Sequence, residues 1–230
     1  MPTGVLLLHG FAGSRREIAP LREYLTQSGF IVSAPILSGH ESTRKNLAQA
    51  KCSDWIKSAA EAAAELKKSC DSLIMIGFSM GGLVAVNLCQ DMDINRLILI
   101  NTPVYYWDVK RIARNLVNDF KKYSKKYFIA STDKPLPALL QFLKILRKTK
   151  PLFSCINCPI FIIQTLDDDT VNCKSADYIY RRVKGDRVIK KYKEGGHLLF
   201  ETDVAQDVCF EIGSFMHSSV HNLHSQWNMC

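Results

Sequence analysis

The sequence predicts an α/β fold, in which a mostly parallel sheet of about six strands has helices on both faces and a helical insertion. Short apolar runs alternate with amphipathic segments along the chain, which is the order that successive βαβ units produce. A length of 230 residues fits one domain better than two. The composition is 47% hydrophobic and 23% charged, as in a globular protein. No apolar run approaches the roughly 18 residues of a membrane span.

The predicted strands are apolar runs of four or five residues. The first five are nearly unbroken, as expected for strands that are covered on both faces, whereas the last alternates in the manner of an edge strand. In chain order they are residues 5–8, 31–34, 73–76, 97–100, 160–164 and 188–192.

Amphipathic segments supply the predicted helices of the core, at residues 18–26, 54–68, 79–90 and 204–216. The second of them carries one apolar stripe at helical spacing, made of Trp55, Ala59, Ala62, Ala63 and Leu66. Ser53 is predicted as its N-cap, because serine side chains accept hydrogen bonds from the free N–H groups of a first turn.

A long stretch without a strand signal separates the fourth and fifth strands. It predicts two helices, over residues 109–126 and 137–148, joined by a turn at residues 131–135. Residues 107–150 hold twelve Lys or Arg and three Asp, so the net charge of +8 lies entirely in this segment.

Long insertions between the strands of one sheet often act as lids. We therefore expect a helical lid at residues 103–150, above a core formed by residues 1–102 and 151–230. The alternative is that the insertion only packs on the sheet and that its charge serves solubility.

The eight cysteines are scattered through apolar segments, and a chain of this length buries enough surface without disulfides. Cys155 and Cys158 are the only close pair, and no second pair or His-x-x-x-His pattern completes a zinc site. The first residues lack the basic segment, the long apolar segment and the cleavage site of a secretory leader. We therefore expect reduced thiols, no metal, no cofactor and a cytoplasmic protein.

One pentapeptide has the pattern of a nucleophile elbow. Gly77-Phe78-Ser79-Met80-Gly81 follows a predicted buried strand and opens a predicted helix, the context in which G-x-S-x-G places a serine on a sharp turn. A side chain at either flanking glycine would collide with the neighbouring strand and helix. Ser79 is therefore the candidate nucleophile, against the alternative of a glycine-rich turn that merely packs closely.

A serine hydroxyl needs a base to take its proton, and the base needs an acid to orient it. Of the six histidines, His197 alone follows a strand late in the chain, in a turn that opens with two glycines. The preceding strand ends in Asp167-Asp168-Asp169, so the acid is expected among these three residues.

The chain resembles an α/β-hydrolase of the small bacterial carboxylesterase and monoacylglycerol-lipase type. The matching motifs are Leu8-His9-Gly10-Phe11-Ala12-Gly13-Ser14, Ala34-Pro35 with Gly39-His40-Glu41, the glycine elbow, Gln164 with Asp168 and Val171-Asn172, and Gly195-Gly196-His197. The order Ser, Asp, His is the one recorded for this fold. Family members usually carry one or two N-terminal strands before the His-Gly loop, but here that loop starts at His9. We therefore expect a minimal sheet.

The resemblance implies a serine carboxylic-ester hydrolase with Ser79, Asp168 and His197 as catalytic residues. Family esterases commonly have His-Asp at the acid turn, which places the acid at Asp168 and leaves Asp167 and Asp169 as solvated neighbours.

The oxyanion hole follows from the same resemblance. One donor is the backbone N–H of Met80, directly after the nucleophile, and the other is the N–H of Phe11 in the loop after the first strand. The Met80 side chain is expected on the pocket wall.

The expected partner is a small-molecule ester, with the basic insertion as a second contact to an anionic lipid or substrate. An acyl thioesterase is the alternative, because a basic lid attracts anionic thioesters. A binding protein that keeps the fold without turnover is a further alternative, against which the complete triad argues. Nucleic-acid binding is not expected, because a stripe such as Lys121-Lys122 and Lys125-Lys126 is more often a solvated helix face. The sequence does not set the oligomeric state.

Overall fold

A six-stranded sheet organises the computed structural model, which describes residues 2–106 and 134–218. The strands are β1 (Thr3–Leu8), β2 (Ile31–Ser33), β3 (Ser72–Phe78), β4 (Arg96–Ile100), β5 (Ile160–Thr165) and β6 (Arg187–Tyr192). Their order is β2-β1-β3-β4-β5-β6, and every neighbouring pair is parallel. The predicted fold class is confirmed.

Helices cover both faces of this sheet. In the described residues they are α1 (Ala19–Gln27), α2 (Arg44–Gln49), α3 (Cys52–Leu66), α4 (Met80–Leu88), α5 (Leu136–Thr149), α6 (Lys174–Arg182) and α7 (Ala205–His217). The helices α1 and α7 pack on the face that holds Leu7 and Ile76. The opposite face, with Leu6 and Met75, is covered by α3, α4, α5 and α6. Alternate strand residues therefore enter two separate apolar layers.

Helix α3 begins two residues earlier than the sequence predicts. It starts at Cys52, and Asp54 Oδ2 accepts a hydrogen bond from the backbone N–H of Lys51 at 2.9 Å. The predicted cap, Ser53, lies inside the helix. A carboxylate in the first turn also suits the positive end of the helix dipole, which explains why Asp54 takes this place.

Two helices were not predicted. Helix α2 is six residues long and is capped by Thr43, whose hydroxyl accepts from the N–H of Asn46 at 3.2 Å. Helix α2 buries only Leu47, too few apolar residues to show helical periodicity. In α6, Ala176, Ile179 and Tyr180 recur at helical spacing and pack against the core, so its segment carried a signal that could have predicted it.

The strand β2 differs from the prediction of a strand covered on both faces. It is a three-residue edge strand in which Ile31 is 37% exposed. The other edge is β6, which the alternation of its residues predicted. A short edge strand leaves few unpaired backbone groups for another chain to pair with.

Of the insertion, the structure describes residues 103–106 and 134–150. The predicted helix over residues 109–126 and most of the predicted turn at 131–135 lie outside the described residues. Helix α5 corresponds to the predicted helix 137–148, and its buried side chains Phe142 and Ile145 join the same apolar cluster as α3 and α4.

No helix within residues 2–106 or 134–218 is long and apolar enough to cross a bilayer. The seven cysteines in these ranges are free thiols, and burial raises the pKa of Cys158 to about 11. The same ranges hold no group of three or more side chains placed to bind a metal ion.

The chain reverses its direction of winding at β1. It moves from β1 to β2 on one side and then returns to β3 on the other. In open parallel sheets such a reversal leaves a crevice at the carboxyl ends of the two central strands. The loop after β1 and the elbow after β3 meet at this crevice.

Candidate active site

Ser79 lies on a sharp turn between β3 and α4. Its backbone has φ 52° and ψ −120°, a conformation that side-chain-bearing residues rarely adopt. The turn is held by the Ser79 N–H, which donates to the carbonyl of Ile100 at the end of β4 at 2.8 Å. The side chain is 5% exposed, so the hydroxyl is presented at the floor of a cavity rather than on an open surface.

The two glycines of the elbow are required by close backbone approach. A Cβ atom at Gly77 would overlap the backbone of Gly82, and one at Gly81 would overlap the carbonyl of Leu8 in β1. These are the helix and strand collisions that the sequence predicts. A substitution at either glycine must therefore move the elbow away from the sheet.

His197 connects the serine to a carboxylate. Its Nε2 lies 3.0 Å from the Oγ of Ser79, and its Nδ1 lies 2.8 Å from Oδ2 of Asp168. A carboxylate beside Nδ1 keeps the proton on that nitrogen, so Nε2 is left to accept from the serine hydroxyl. The structure thus brings together the three side chains that the sequence singled out.

The three consecutive aspartates have different surroundings. Asp168 is fully buried, and its Oδ1 accepts from the N–H groups of Thr170 and Val171 at 2.8 and 2.9 Å. Asp167 is exposed but accepts from the N–H groups of the two glycines before His197, at 3.2 and 2.8 Å. Asp167 is therefore more than the solvated neighbour expected, since it holds the histidine loop. Asp169 accepts a long bond from the Thr170 hydroxyl.

Asn101 is a residue of the site that sequence reasoning missed. It is fully buried after β4, and its amide group donates to the carbonyls of Gly196 and His197 at 3.2 and 3.1 Å. Its Oδ1 accepts from the N–H of Thr165 at 2.9 Å. Asn101 therefore ties β5 and the histidine loop together. The signal that could have found it is a polar residue directly after an unbroken apolar strand.

The loop after β1 is fixed by His9. The backbone N–H of Leu37 donates to Nε2 of His9 at 3.1 Å, so its Nδ1 carries the proton and donates to the carbonyl of Gly10 at 2.9 Å. Burial lowers the pKa of His9 and keeps the ring neutral. Among the described residues, the N–H groups of Phe11 and Met80 donate to no protein acceptor. Two backbone donors are therefore available beside Ser79.

His40 lies behind this loop. Its ring is buried, with its centroid 4.9 Å from that of His9 and 5.7 Å from that of Trp55, and Nδ1 lies 3.2 Å from the carbonyls of Leu37 and Ser38. Burial, together with the neighbouring His9, lowers the pKa of His40 to about 4. The imidazole is therefore neutral at pH 7.

A cavity of about 780 Å³ opens above Ser79. Its apolar wall is formed by Phe11, Tyr106 and Phe142, and Phe142 contacts the other two rings at centroid distances of 5.0 and 4.7 Å. Its polar wall includes Glu17, Lys134, Glu201 and Thr202. The Met80 side chain is buried in the core and lies off the cavity wall, contrary to expectation, because it turns towards the apolar cluster under α4.

Comparisons with known proteins agree with this architecture. The sequence model of the alpha/beta hydrolase fold family matches residues 4–195. A thermostable monoacylglycerol lipase from Bacillus sp. (strain H-257) is 30% identical over 196 residues, covering 79% of this chain and 77% of its own. A carboxylesterase from Bacillus subtilis (strain 168) is 26% identical over 210 residues, covering 85% of this chain and 84% of its own.

Solved structures show the same fold. The structure of a metagenome-derived lipolytic enzyme, reported in work on LipS and LipT, superposes with a TM-score of 0.78 at 22% identity and covers 93% of each chain. A monoacylglycerol lipase from Paleococcus ferrophilus superposes with a TM-score of 0.68 at 16% identity, covering 96% of this chain and 94% of its own.

Proposed function

Because the chain belongs to the alpha/beta hydrolase family, we propose that it hydrolyses carboxylic esters through an acyl-enzyme on Ser79. The enzyme class, a carboxylic-ester hydrolase, is that of its curated relatives. The observation that carries the mechanism is the pair of contacts from His197, at 3.0 Å to the Ser79 hydroxyl and 2.8 Å to the Asp168 carboxylate.

In the first half of the reaction, Ser79 Oγ attacks the ester carbonyl carbon while Nε2 of His197 takes the hydroxyl proton. The carbonyl oxygen becomes negative and is held by the N–H groups of Phe11 and Met80. Collapse of this intermediate breaks the bond to the alcohol oxygen, which leaves with the proton from His197.

The second half repeats these steps with water. His197 deprotonates the water, its oxygen attacks the acyl carbon, and the serine leaves with the proton held on Nε2. Asp168 stabilises the imidazolium in both halves and fixes the ring orientation. Oδ1 of Asp168 accepts hydrogen bonds from two backbone N–H groups, which hold the carboxylate in place beside the ring.

We place the substrates among small esters, including monoacylglycerols. The aromatic wall of Phe11, Tyr106 and Phe142 suits an acyl chain, and a cavity of about 780 Å³ has room for one of medium length. The names of the two curated relatives support the same range, a monoacylglycerol lipase and a carboxylesterase.

We also retain the assignment of residues 103–150 to a lid. Helix α5 contributes Phe142 to the cavity wall and carries Lys144, Arg147 and Lys148 near its end. These cations support a contact with an anionic lipid surface, which salt would weaken. Lys134 on the cavity wall keeps the thioesterase alternative open, because an ammonium group there would favour an anionic thioester.

A substrate panel tests the proposal. The chain and its Ser79→Ala variant are assayed on p-nitrophenyl esters, monoacylglycerols and acyl-CoAs, with Ser69→Ala at an exposed position as the matched control. We expect ester turnover by the unmodified chain and by Ser69→Ala, and background rates for Ser79→Ala. Turnover of acyl-CoA alone would establish the thioesterase alternative, and full activity of Ser79→Ala would contradict the mechanism.

A further inference from the structure

Glu17 is a carboxylate at the active site that the ester mechanism does not use. It lies in the 3₁₀ segment Arg15–Ile18, and its Oε2 accepts a hydrogen bond from the N–H of Gly10 at 3.3 Å. The carboxylate fills the space beside Gly13, where a Cβ atom would overlap it. Its Oε1 has no hydrogen-bond partner among the described residues, and the side chain lines the cavity above Ser79.

A negative charge at this position disfavours the oxyanion of the proposed reaction unless another group offsets it. Gly10 directly precedes Phe11, whose N–H is the proposed oxyanion donor, so a negative charge on Glu17 raises the energy of the oxyanion. Burial raises the pKa of Glu17, and the hydrogen bond from Gly10 offsets part of this rise. A half-buried carboxylate with one bonded oxygen is stabilised by a further donor, and a substrate can supply one.

A second cavity lies next to Glu17 and indicates which part of a bound substrate could donate this hydrogen bond. It has a volume of about 710 Å³ and shares three charged residues, Glu17, Lys134 and Glu201, and the apolar Ala12 and Leu198 with the catalytic cavity. Its remaining wall is mostly polar and includes Ser14, Arg16, Ser42, Thr43 and Arg44. The aromatic residues Tyr106 and Phe142 line only the catalytic cavity. An ester bound at Ser79 therefore has an apolar side and a polar side.

We propose that the Glu17 side is the alcohol subsite, where the carboxylate accepts a hydrogen bond from a free hydroxyl of a polyol ester such as a monoacylglycerol. The inference rests on the proposed ester hydrolysis and names the part of the substrate that this chain selects. The acyl chain then occupies the aromatic side. An ester of a simple alkyl alcohol has no hydroxyl for Oε1 and leaves that oxygen without a donor.

The charges around Glu17 favour a neutral hydroxyl group over an ionic one. The second cavity is lined by three acidic and three basic side chains, so neither sign dominates there; they are Glu17, Glu41 and Glu201 with Arg16, Arg44 and Lys134. A hydroxyl needs an acceptor but no counter-ion. A site that hydrogen-bonds a substrate hydroxyl discriminates strongly against the analogue that lacks it, because its buried polar group is then unpaired.

The test compares esters of one acid with different alcohols. The values of kcat and KM are measured on 1-octanoylglycerol and methyl octanoate for the unmodified chain, for Glu17→Gln, and for the control Glu23→Gln at an exposed position on α1. Glutamine keeps the size of the side chain and an oxygen for Gly10. In Glu17→Gln we expect the kcat/KM ratio of glycerol ester to methyl ester to fall by about tenfold or more, mainly through KM of the glycerol ester. The methyl ester should react at least as fast as before, and Glu23→Gln should match the unmodified chain.

Equal losses on both esters, or an unchanged ratio, would overturn the proposal and leave Glu17 as a support of the loop. The unmodified chain provides a second measurement that does not depend on folding of a variant. Its kcat/KM should rise from methyl to 2-hydroxyethyl to glyceryl octanoate, and equal values would overturn the subsite. Hydrolysis of none of these esters would instead contradict the proposed function itself.

Discussion

The loops at the carboxyl edge of the sheet and the wall formed by α5 hold their side chains in different ways. At the sheet edge, hydrogen bonds with backbone groups fix each side chain. Asp168 accepts hydrogen bonds from two backbone N–H groups, and the His9 ring is held between the N–H of Leu37 and the carbonyl of Gly10. At the α5 wall, Phe142 is positioned by ring contacts with Phe11 and Tyr106. Backbone hydrogen bonds allow one geometry, whereas apolar contacts tolerate other shapes. Changes at the edge should therefore stop the reaction, and changes at the wall should alter which ester reacts.

The largest effect is expected at Asp168. Asp168→Asn keeps the size of the side chain but removes the charge that stabilises the imidazolium, and it favours the wrong tautomer of His197. We expect kcat to fall by roughly 10⁴ with the fold intact, as measured by steady-state kinetics and circular dichroism. Asp169→Asn is the matched control, with an effect within a few-fold.

Asp167→Asn separates orientation by charge from support of the loop. Asp167 accepts two hydrogen bonds from the glycines before His197, so we expect the fall in kcat of Asp167→Asn to lie between those of Asp168→Asn and Asp169→Asn. A loss at Asp167 or Asp169 larger than that at Asp168 would show that the acid has been assigned to the wrong residue.

A change in the insertion next to the α5 wall should have a smaller and more selective effect. Replacing residues 107–133 with a Gly/Ser linker leaves α5 and its buried side chains in place. If residues 103–150 form a lid over the acyl chain, turnover of p-nitrophenyl acetate should continue. The preference for octanoate over acetate should fall by about tenfold or more, because each buried CH₂ contributes about 0.8 kcal/mol.

An unchanged chain-length profile would show that the replaced segment does not contact the acyl chain. Repeating the assay at higher salt tests the basic surface separately. Charge recruitment predicts a fall in kcat/KM for anionic substrates or lipid surfaces and no change for short neutral esters.

The sequence predicted the side chains that meet at the carboxyl edge of the sheet better than the hydrogen bonds that hold them there. Apolar runs and the elbow glycines located Ser79 and His197, because both follow strands and parallel strands end at a common edge. Asn101 and the bonds of Asp167 depend on which strands and loops are neighbours, which no local pattern encodes. Glu17 was missed for the same reason, since its importance comes from its position against Gly10 and Gly13.

His40 gives the smallest predicted effect, on stability rather than on activity. Its pKa is about 4 in the folded chain and 6.5 in the unfolded one, so the unfolded state binds more protons between these values. Stability from this group is therefore complete above pH 6.5 and is lost as pH falls towards 4. From about pH 7.5 to about pH 5 the loss is about 2 kcal/mol.

Urea unfolding of the unmodified chain and of His40→Gln at both pH values isolates this contribution. We expect the unfolding free energy of the variant to vary less with pH, by about that amount. Equal pH dependence in the two proteins would mean that His40 is not held neutral behind the loop.

Ser79 is the proposed nucleophile, and covalent labelling tests this role most directly. The chain is treated with a fluorophosphonate, and its intact mass and peptide masses are measured alongside those of Ser79→Ala. We predict one adduct for each chain, located on Ser79, with loss of ester turnover in proportion to labelling and no adduct in the variant. An adduct at another residue, or a fully active chain that remains unlabelled, would contradict the account.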